Sequence, residues 1–269
     1  MMIAHLSISI VTYRSALDHL RQTLESLTSS IRLAQASGRL NSASIDLIDN
    51  GTRQPDELRD LATANGARLI SGQGNIGYGR GHNLSLLTSS AQFHLILNPD
   101  VILAPNAIDA ALQYMDANPE VIMLAPKVRG EHGEAEHLCK RYPSVLDLAL
   151  RGVAPNGLKR IFARRLDVYS LRDLPLDRPS QHIPLLSGSF MFCRRAPIAA
   201  IGGFSDAFFI YFEDFDLSLR AASHGVLAYV PEVEAHHFGG NAAGKGWRHI
   251  WLFILGARIF FNRHGWRWM

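Results

Sequence analysis

Over the first 125 residues short β-branched runs alternate with helical patterns, and this alternation narrows the fold more than any other feature of the chain. Residues 6–12, Leu-Ser-Ile-Ser-Ile-Val-Thr, read as a buried strand. Leu17, Leu20, Leu24, Leu27 and Ile31 follow at three- and four-residue steps, the spacing of one helical face. A second strand over 45–48 ends at Asp49-Asn50-Gly51-Thr52, and Pro55 opens a second helix that runs to Asn65-Gly66. Residues 67–70, 93–97 and 121–124 are further strands, with helices starting near Arg80 and at Pro105. Such a rhythm implies an α/β fold whose parallel sheet is covered on both faces.

After Ala125 the rhythm stops. Residues 127–183 mix charges, prolines and glycines with short apolar patches, which predicts loops, short helices and mobility. Order returns with a strand-like stretch over 184–193, a short helix from Pro197, a helix over about 214–224 and strands near 227–230 and 233–235. A last helix over 247–263 places Trp251, Ile254, Leu255, Ile259 and Phe260 on one stripe. With 269 residues, 47% of them hydrophobic, the chain can bury a full core, and we read it as one domain.

Lysine and arginine (27) exceed aspartate and glutamate (24) by 3, too few for a nucleic-acid footprint. The basic residues are clustered, however. Arg141, Arg151, Lys159, Arg160, Arg164, Arg165, Arg172 and Arg178 share one segment, and Arg258, Arg263 and Arg267 crowd the end; both groups suit phosphates or anionic lipid. The distant Cys139 and Cys193 have no metal or redox spacing and read as reduced thiols. The first residues lack the pattern of a signal peptide, and no apolar run approaches the roughly 18–20 residues of a spanning helix. The expectation is a cytoplasmic protein.

In an open parallel sheet, ligands bind beyond the carboxyl ends of the strands. Thr12 and Tyr13 close the first strand, Asp49 ends the second, a loop with five glycines over 72–83 follows the third, and Asn98-Pro99-Asp100 follows the fourth. Asp49 reads equally well as a turn residue and as an acceptor for the imide nitrogen of uracil or thymine. The glycine loop lets backbone approach a ligand, with Arg80 and Asn83 as its polar candidates, but it matches neither the dinucleotide fingerprint nor the phosphate loop. Asp100 is either part of a structural turn or a ligand for Mg²⁺ or Mn²⁺ bridging a diphosphate. His236-His237 at a strand end is a candidate second ligand.

The costliest arrangement is Phe208-Phe209-Ile210-Tyr211-Phe212-Glu213-Asp214-Phe215-Asp216, three carboxylates in an aromatic run. Helix capping and an i,i+4 pair with Arg220 account for Asp216. They do not account for Asp214, which is placed at a helix start to take a proton from an acceptor hydroxyl.

The segments SISIVTYRS, LIDNGT, GNIGYGRGHN, LILNPDV, LLSGSFMFCRR, AIGGFSDAFFIYFEDFDLSLR and VPEVEAHHFGG, in this order, resemble the family 2 inverting glycosyltransferases, and among them rhamnosyltransferase-like enzymes of bacterial surface polysaccharide assembly. The resemblance implies a GT-A fold, an αβα sandwich with a nucleotide-sugar-binding half over 1–126, an acceptor and catalytic half over 127–246 and a C-terminal amphipathic helix over 247–269. It further implies Asp49 as the base-recognising acid and Asp100 as the metal-binding acid of an Asp-x-Asp motif whose first acid is here Asn98. Asp214 is the implied catalytic base beside Glu213, and His237 the implied second metal ligand, with His236 as the alternative. The implied donor is dTDP-rhamnose or a UDP-sugar, and the implied acceptor a glycan or a lipid-linked precursor. A lipid-linked acceptor suggests peripheral contact with the inner membrane face, where the final helix and its basic end could rest; the other reading packs that helix on the core. Two rivals are weaker. A sugar-nucleotide pyrophosphorylase needs a basic triphosphate loop where Thr12-Tyr13-Arg14-Ser15-Ala16 stands, and a degenerate binding relative has no need of Asp49, Asp100, Asp214 and His237 together.

Overall fold

Every residue of β1 (Ala4–Thr12) except His5 is buried, as a strand covered on both faces must be. The computed structural model describes residues 4–131, 133–152, 154–238 and 246–269; the first three residues and the glycines Gly239 and Gly240 after the histidine pair lie outside it. α1 (Leu17–Ala36) packs on the sheet through Leu20, Leu24, Leu27 and Ile31, the stripe its spacing predicts. Next come β2 (Leu40–Asp49), α2 (Pro55–Ala64), β3 (Arg68–Ile70), α3 (Tyr78–Leu86), β4 (Phe93–Leu97), β5 (Val101–Leu103), α4 (Ala107–Ala117) and β6 (Val121–Arg129). The irregular middle contributes β7 (Ala135–Glu136), β8 (Cys139–Lys140), α5 (Val145–Gly152), α6 (Asn156–Ile161), α7 (Ala163–Tyr169) and β9 (Ser180–Gln181). The chain then runs through β10 (Leu185–Leu186), β11 (Phe190–Arg194), α8 (Arg195–Ala200), α9 (Glu213–Ala221), β12 (Val226–His237) and α10 (Trp247–His264).

The main sheet has the order β3-β2-β1-β4-β11-β6-β12-β5. β1 pairs in parallel with β2 and β4, β2 with β3, and β6 with β12. β11 runs antiparallel to both β4 and β6, a reversed strand within a mainly parallel sheet. The alternating pattern could not announce it, because the reversal depends on the long irregular connection that precedes it.

Three sequence-based boundaries need correction. The apolar run 184–193 is two strands: β10 pairs with β8 in a separate two-stranded sheet, and β11 enters the main one. Gly188 sits in the break, where a Cβ would lie 3.3 Å from both Asp214 and Tyr78. The two strands expected near 227–230 and 233–235 are the single β12, whose register with β6 shifts between Val230 and Glu234, around Pro231. In α10 the buried residues are Gly256, Phe260 and Phe261, with Phe253 and Ala257 packed alongside; Trp251, Ile254 and Leu255 of the expected stripe are exposed.

α10 is fixed to α9 by charge as well as by aromatic packing. Asp216 is fully buried and accepts from Arg220 at 2.8 Å, Arg263 at 3.1 Å and His264 at 2.8 Å. The i,i+4 pair read from the sequence is therefore one part of a tether that joins two helices.

Candidate active site

The ends of β1 and β2 form one wall of a cleft. Asp49 Oδ1 accepts from the backbone N–H groups of Gly51 (2.8 Å) and Thr52 (2.7 Å), closing a turn, and no hydrogen bond among the described residues takes Oδ2. Tyr13 is exposed, and its ring lies 3.2 Å from where a Gly51 Cβ would stand, so a larger residue at 51 would displace it. Tyr13 and Asp49 thus flank one opening. Thr12 is buried beneath them at the strand end.

The glycine loop has a different job from the ligand approach read in the sequence. Gly77 has φ +94°, and a Cβ there would run into the Phe209 carbonyl, which accepts from the Tyr78 N–H at 3.0 Å. A Cβ on Gly81 would lie 2.8 Å from Val11. The loop and α3 are therefore packed between β1 and the segment 203–209. Asn83 gives both ends of its amide to Phe204, at 2.8 and 2.9 Å. Arg80 bonds the Asp206 carbonyl at 2.5 Å. Both face this packing and not the Asp49 opening.

At the end of β4, Asn98 anchors through its backbone to Ser189 (2.9 Å), and the Asp100 carbonyl accepts from Phe238 (2.9 Å). The Oδ1 of Asp100 is buried, receives no well-directed hydrogen bond and lies 3.3 Å from Nε2 of His237. The Nδ1 of His237 is 2.9 Å from Glu136 on β7. Burial opposes a charge on His237, but the nearby Asp100 carboxylate and the hydrogen-bonded Glu136 outweigh it and raise its pKa to about 9. His236 points the other way along the strand and is exposed.

The opposite wall is the start of α9. Tyr211 (φ +71°) and Phe212 (φ +67°) both occupy the left-handed region, an uncommon conformation for aromatic residues. The turn swings Glu213 inward, buried, and leaves Asp214 partly buried. Asp214 Oδ2 accepts from Gly188 N–H and Oδ1 from Phe215 N–H, each at 2.9 Å. Burial, and then the charge of Asp214, pushes the Glu213 carboxyl well above the usual range, and its Oε2 has no partner. Burial also raises Asp214, against the two backbone donors that favour its charge. Two adjacent carboxyls thus share less charge than two isolated ones, with the partly buried one better able to hold it.

Tyr78 joins the walls. Its hydroxyl donates to the Gly188 carbonyl at 2.5 Å, next to the N–H that holds Asp214. Burial and then the charges of Glu213, Asp214 and Asp100 keep its phenol protonated far above its ordinary range. The fold therefore gathers Asp100, His237, Glu213 and Asp214, with Asp49 and Tyr13 at the neighbouring opening. Tyr78, Gly188 and Glu136 were not among the sequence candidates. The Ser187-Gly188-Ser189 interruption of an apolar run was a signal for the second, whereas nothing local marks Glu136.

A mainly parallel sheet with carboxylates at its strand ends and a second pair on a facing helix is an arrangement that suits a transferase of the GT-A type. Residues 7–202 match the Glycosyl transferase family 2, and the chain belongs to that family: it is a glycosyltransferase. It is 27% identical over 214 residues to an N-acetylglucosaminyl-diphospho-decaprenol L-rhamnosyltransferase of Mycobacterium tuberculosis, covering 75% of this chain and 68% of that protein. It is 26% identical over 216 residues to the rhamnosyltransferase WbbL of Escherichia coli K12, covering 74% and 77%. Among solved structures, GalNAc-T7 with UDP, GalNAc and Mn²⁺ superposes with a TM-score of 0.64 at 17% identity, over 91% of this chain and 45% of that one. The S. aureus TarS 1–349 complex with UDP-GlcNAc gives 0.59 at 13%, over 96% and 66%. These likenesses establish the GT-A fold.

Proposed function

We propose that the protein is an inverting transferase that moves L-rhamnose from dTDP-rhamnose to a hydroxyl of a bacterial cell-surface glycan or its lipid-linked precursor. The observation that carries the reading is the Glu213–Asp214 pair: a buried acid whose pKa is raised, beside a partly buried one aimed by two backbone N–H groups. Asp214 takes the proton of the acceptor hydroxyl as its oxygen bonds to the anomeric carbon. The bond from that carbon to the nucleoside diphosphate breaks, and configuration inverts. Tyr13 and Asp49 hold the base of the nucleotide, and Asn98 and Asp100 border its diphosphate. The rhamnose assignment rests on two relatives that are rhamnosyltransferases by name.

Asp100 and His237 fit a divalent cation that would displace the proton between them: a carboxylate oxygen buried without a hydrogen bond among the described residues lies 3.3 Å from an imidazole nitrogen, and Glu136 orients the ring from behind. No set of three or more protein ligands is arranged to hold a metal among the described residues, so diphosphate oxygens and water would complete its shell. When bound, Mg²⁺ or Mn²⁺ would offset charge on the leaving diphosphate.

No helix among the described residues is long and apolar enough to cross a membrane. The exposed Trp247, Trp251 and Ile254 of α10 form a face suited to peripheral contact with a bilayer. The donor is tested by thermal shift with dTDP, UDP and GDP, each with and without Mn²⁺; a ligand at about 100 times its dissociation constant stabilises by roughly 2.7 kcal/mol. A Mn²⁺-dependent shift with dTDP alone supports the rhamnose donor. A shift with UDP redirects the reading to a UDP-hexose, and no shift with any nucleotide overturns catalysis in favour of a degenerate binding relative.

A further inference from the structure

The donor cleft and the acid pair leave the two arginine clusters of the sequence without a role, and the fold brings members of both together. A cavity of about 440 Å³ opens between α5, α7 and the C-terminal tail. Arg141, Arg164 and Arg165 from the first cluster and Arg267 from the second line it, against one acid, Asp147.

Two of these arginines are already occupied. Arg165 bonds Asp147 at 2.6 Å and Ser144 at 2.8 Å, completing the cap of α5, and Arg141 grips Asp173 at 3.0 and 2.7 Å. Arg164 has no acidic partner among the described residues, Arg267 donates through Nε to the Met269 oxygen at 3.4 Å, and both are exposed. Arg267 is held in place by its surroundings. The Val145 N–H donates to its carbonyl at 2.8 Å, the Leu146 N–H to Trp268 at 3.2 Å, and Trp266 stacks on Phe261 and on Trp268. The tail that delivers this guanidinium is thus fixed on the core.

Lys140 is buried, and burial first, then Arg151 and Arg172, lower its pKa to about 8. Tyr169, which walls the cavity, is hydrogen-bonded by Arg151 and lies within reach of the Asp214 charge. The rim includes exposed apolar residues: Ile161 is 76% exposed and Val168 51%.

We propose that this cavity is a second anion site, separate from the donor cleft, that takes the phosphate or diphosphate group of the acceptor. Guanidinium groups pair with phosphate oxygens bidentately; Arg164 has no acidic partner among the described residues, and the Arg267 contact to Met269 is long, at 3.4 Å, so a phosphate can compete for both. The apolar residues of the rim suit a phosphate carried on a lipid chain. The ownership of that phosphate by the acceptor rests on the transferase reading above, whereas the existence of the site does not.

The test uses the full chain and calorimetric titration with two probes, inorganic pyrophosphate and geranyl diphosphate. Both are titrated into the wild type and into an Arg164→Ala/Arg267→Ala variant, with dTDP as a third ligand. The expected result is that the double substitution weakens diphosphate binding by about tenfold or more and leaves dTDP binding unchanged. Tighter binding of geranyl diphosphate than of pyrophosphate assigns the anion to a lipid; equal binding assigns it to a soluble phosphate ester. Absence of diphosphate binding, binding that the variant retains, or displacement of pyrophosphate by dTDP overturns the proposal. Arginine-dependent diphosphate binding in a chain that ignores dTDP keeps the cavity and removes the donor assignment.

Discussion

The two walls of the cleft are built in different ways. On the wall proposed to bind the donor, Tyr13, Asp49 and Asp100 stand where regular strands end, and Asp49 shapes its own turn with two backbone bonds. On the wall proposed to face the acceptor, Asp214 is reached through two left-handed aromatic residues and is held by distant elements: Gly188 before β11, and α10 across Gly256 and Asp216. Positions at strand ends come with the sheet. A carboxylate on a strained turn exists only while its neighbours hold that turn, at a cost of order 1–3 kcal/mol for each strained residue.

The largest expected effect falls on the acceptor wall. Asp214→Asn keeps the side-chain shape and an acceptor for one of the two backbone N–H groups but removes the proposed base, so kcat should fall by about 10² to 10⁴ while dTDP binding persists. Steady-state transfer and nucleotide titration on the same preparation check this. Normal turnover would show that the base lies elsewhere and that the two walls do not divide the work as described.

Next comes the support of the turn. A Cβ on Gly256 would lie 2.8 Å from the Tyr211 carbonyl and 3.2 Å from the Phe212 ring. Gly256→Ala should therefore push α10 off the strained turn and cost about 1–3 kcal/mol, an overpacking penalty. Thermal melting reads the loss of stability, and transfer should weaken with it. A variant that melts as the wild type does and turns over normally would mean that the turn needs no buttress from α10.

These contrasts also explain what the sequence revealed. The donor half was legible because period and punctuation coincide there: the α1 stripe, Pro55 at the start of α2 and the acids closing β2 and β4 are local signals. The reversal of β11 was not, since it depends on a connection with no pattern of its own. Arg80 and Asn83 read as ligand contacts because a glycine loop looks alike whether backbone approaches a nucleotide or another loop; only the position of Phe204 and Phe209 separates the two. In α10 both faces are apolar, so periodicity alone selected a stripe that is largely the exposed one. Glu213 and Asp214 were visible for a physical reason: charge inside an aromatic run demands an explanation.

A pH-dependent effect follows from Glu213. Its folded pKa is raised by burial and by Asp214, whereas the unfolded chain releases the proton near 4.5. Between those values the folded state holds more protons, so its stability is fully present below 4.5 and declines as pH rises toward the raised pKa, by at most about 1.4 kcal/mol per pH unit. Glu213→Gln should flatten that decline in melting temperature measured from pH 5 to 8. A slope equal to that of the wild type would mean that Glu213 is ionised throughout and that the pair holds two charges.

The smallest effect belongs to the donor edge. Arg68 on β3 makes a two-pronged contact with Asp46 of β2, at 2.8 and 2.9 Å, but its own side chain is 65% exposed. Water can replace an exposed guanidinium, so Arg68→Ala should cost no more than about 1 kcal/mol, a shift of roughly 2–4 °C in melting temperature, with transfer unchanged. Asp46 lies three residues before Asp49 on the same strand, which makes this a strict test of how far the donor wall relies on its neighbours. If so peripheral a change reduced dTDP binding, the β2 end would depend on its flank as α9 depends on α10, and the contrast between a wall given by the sheet and a wall held by its neighbours would fail.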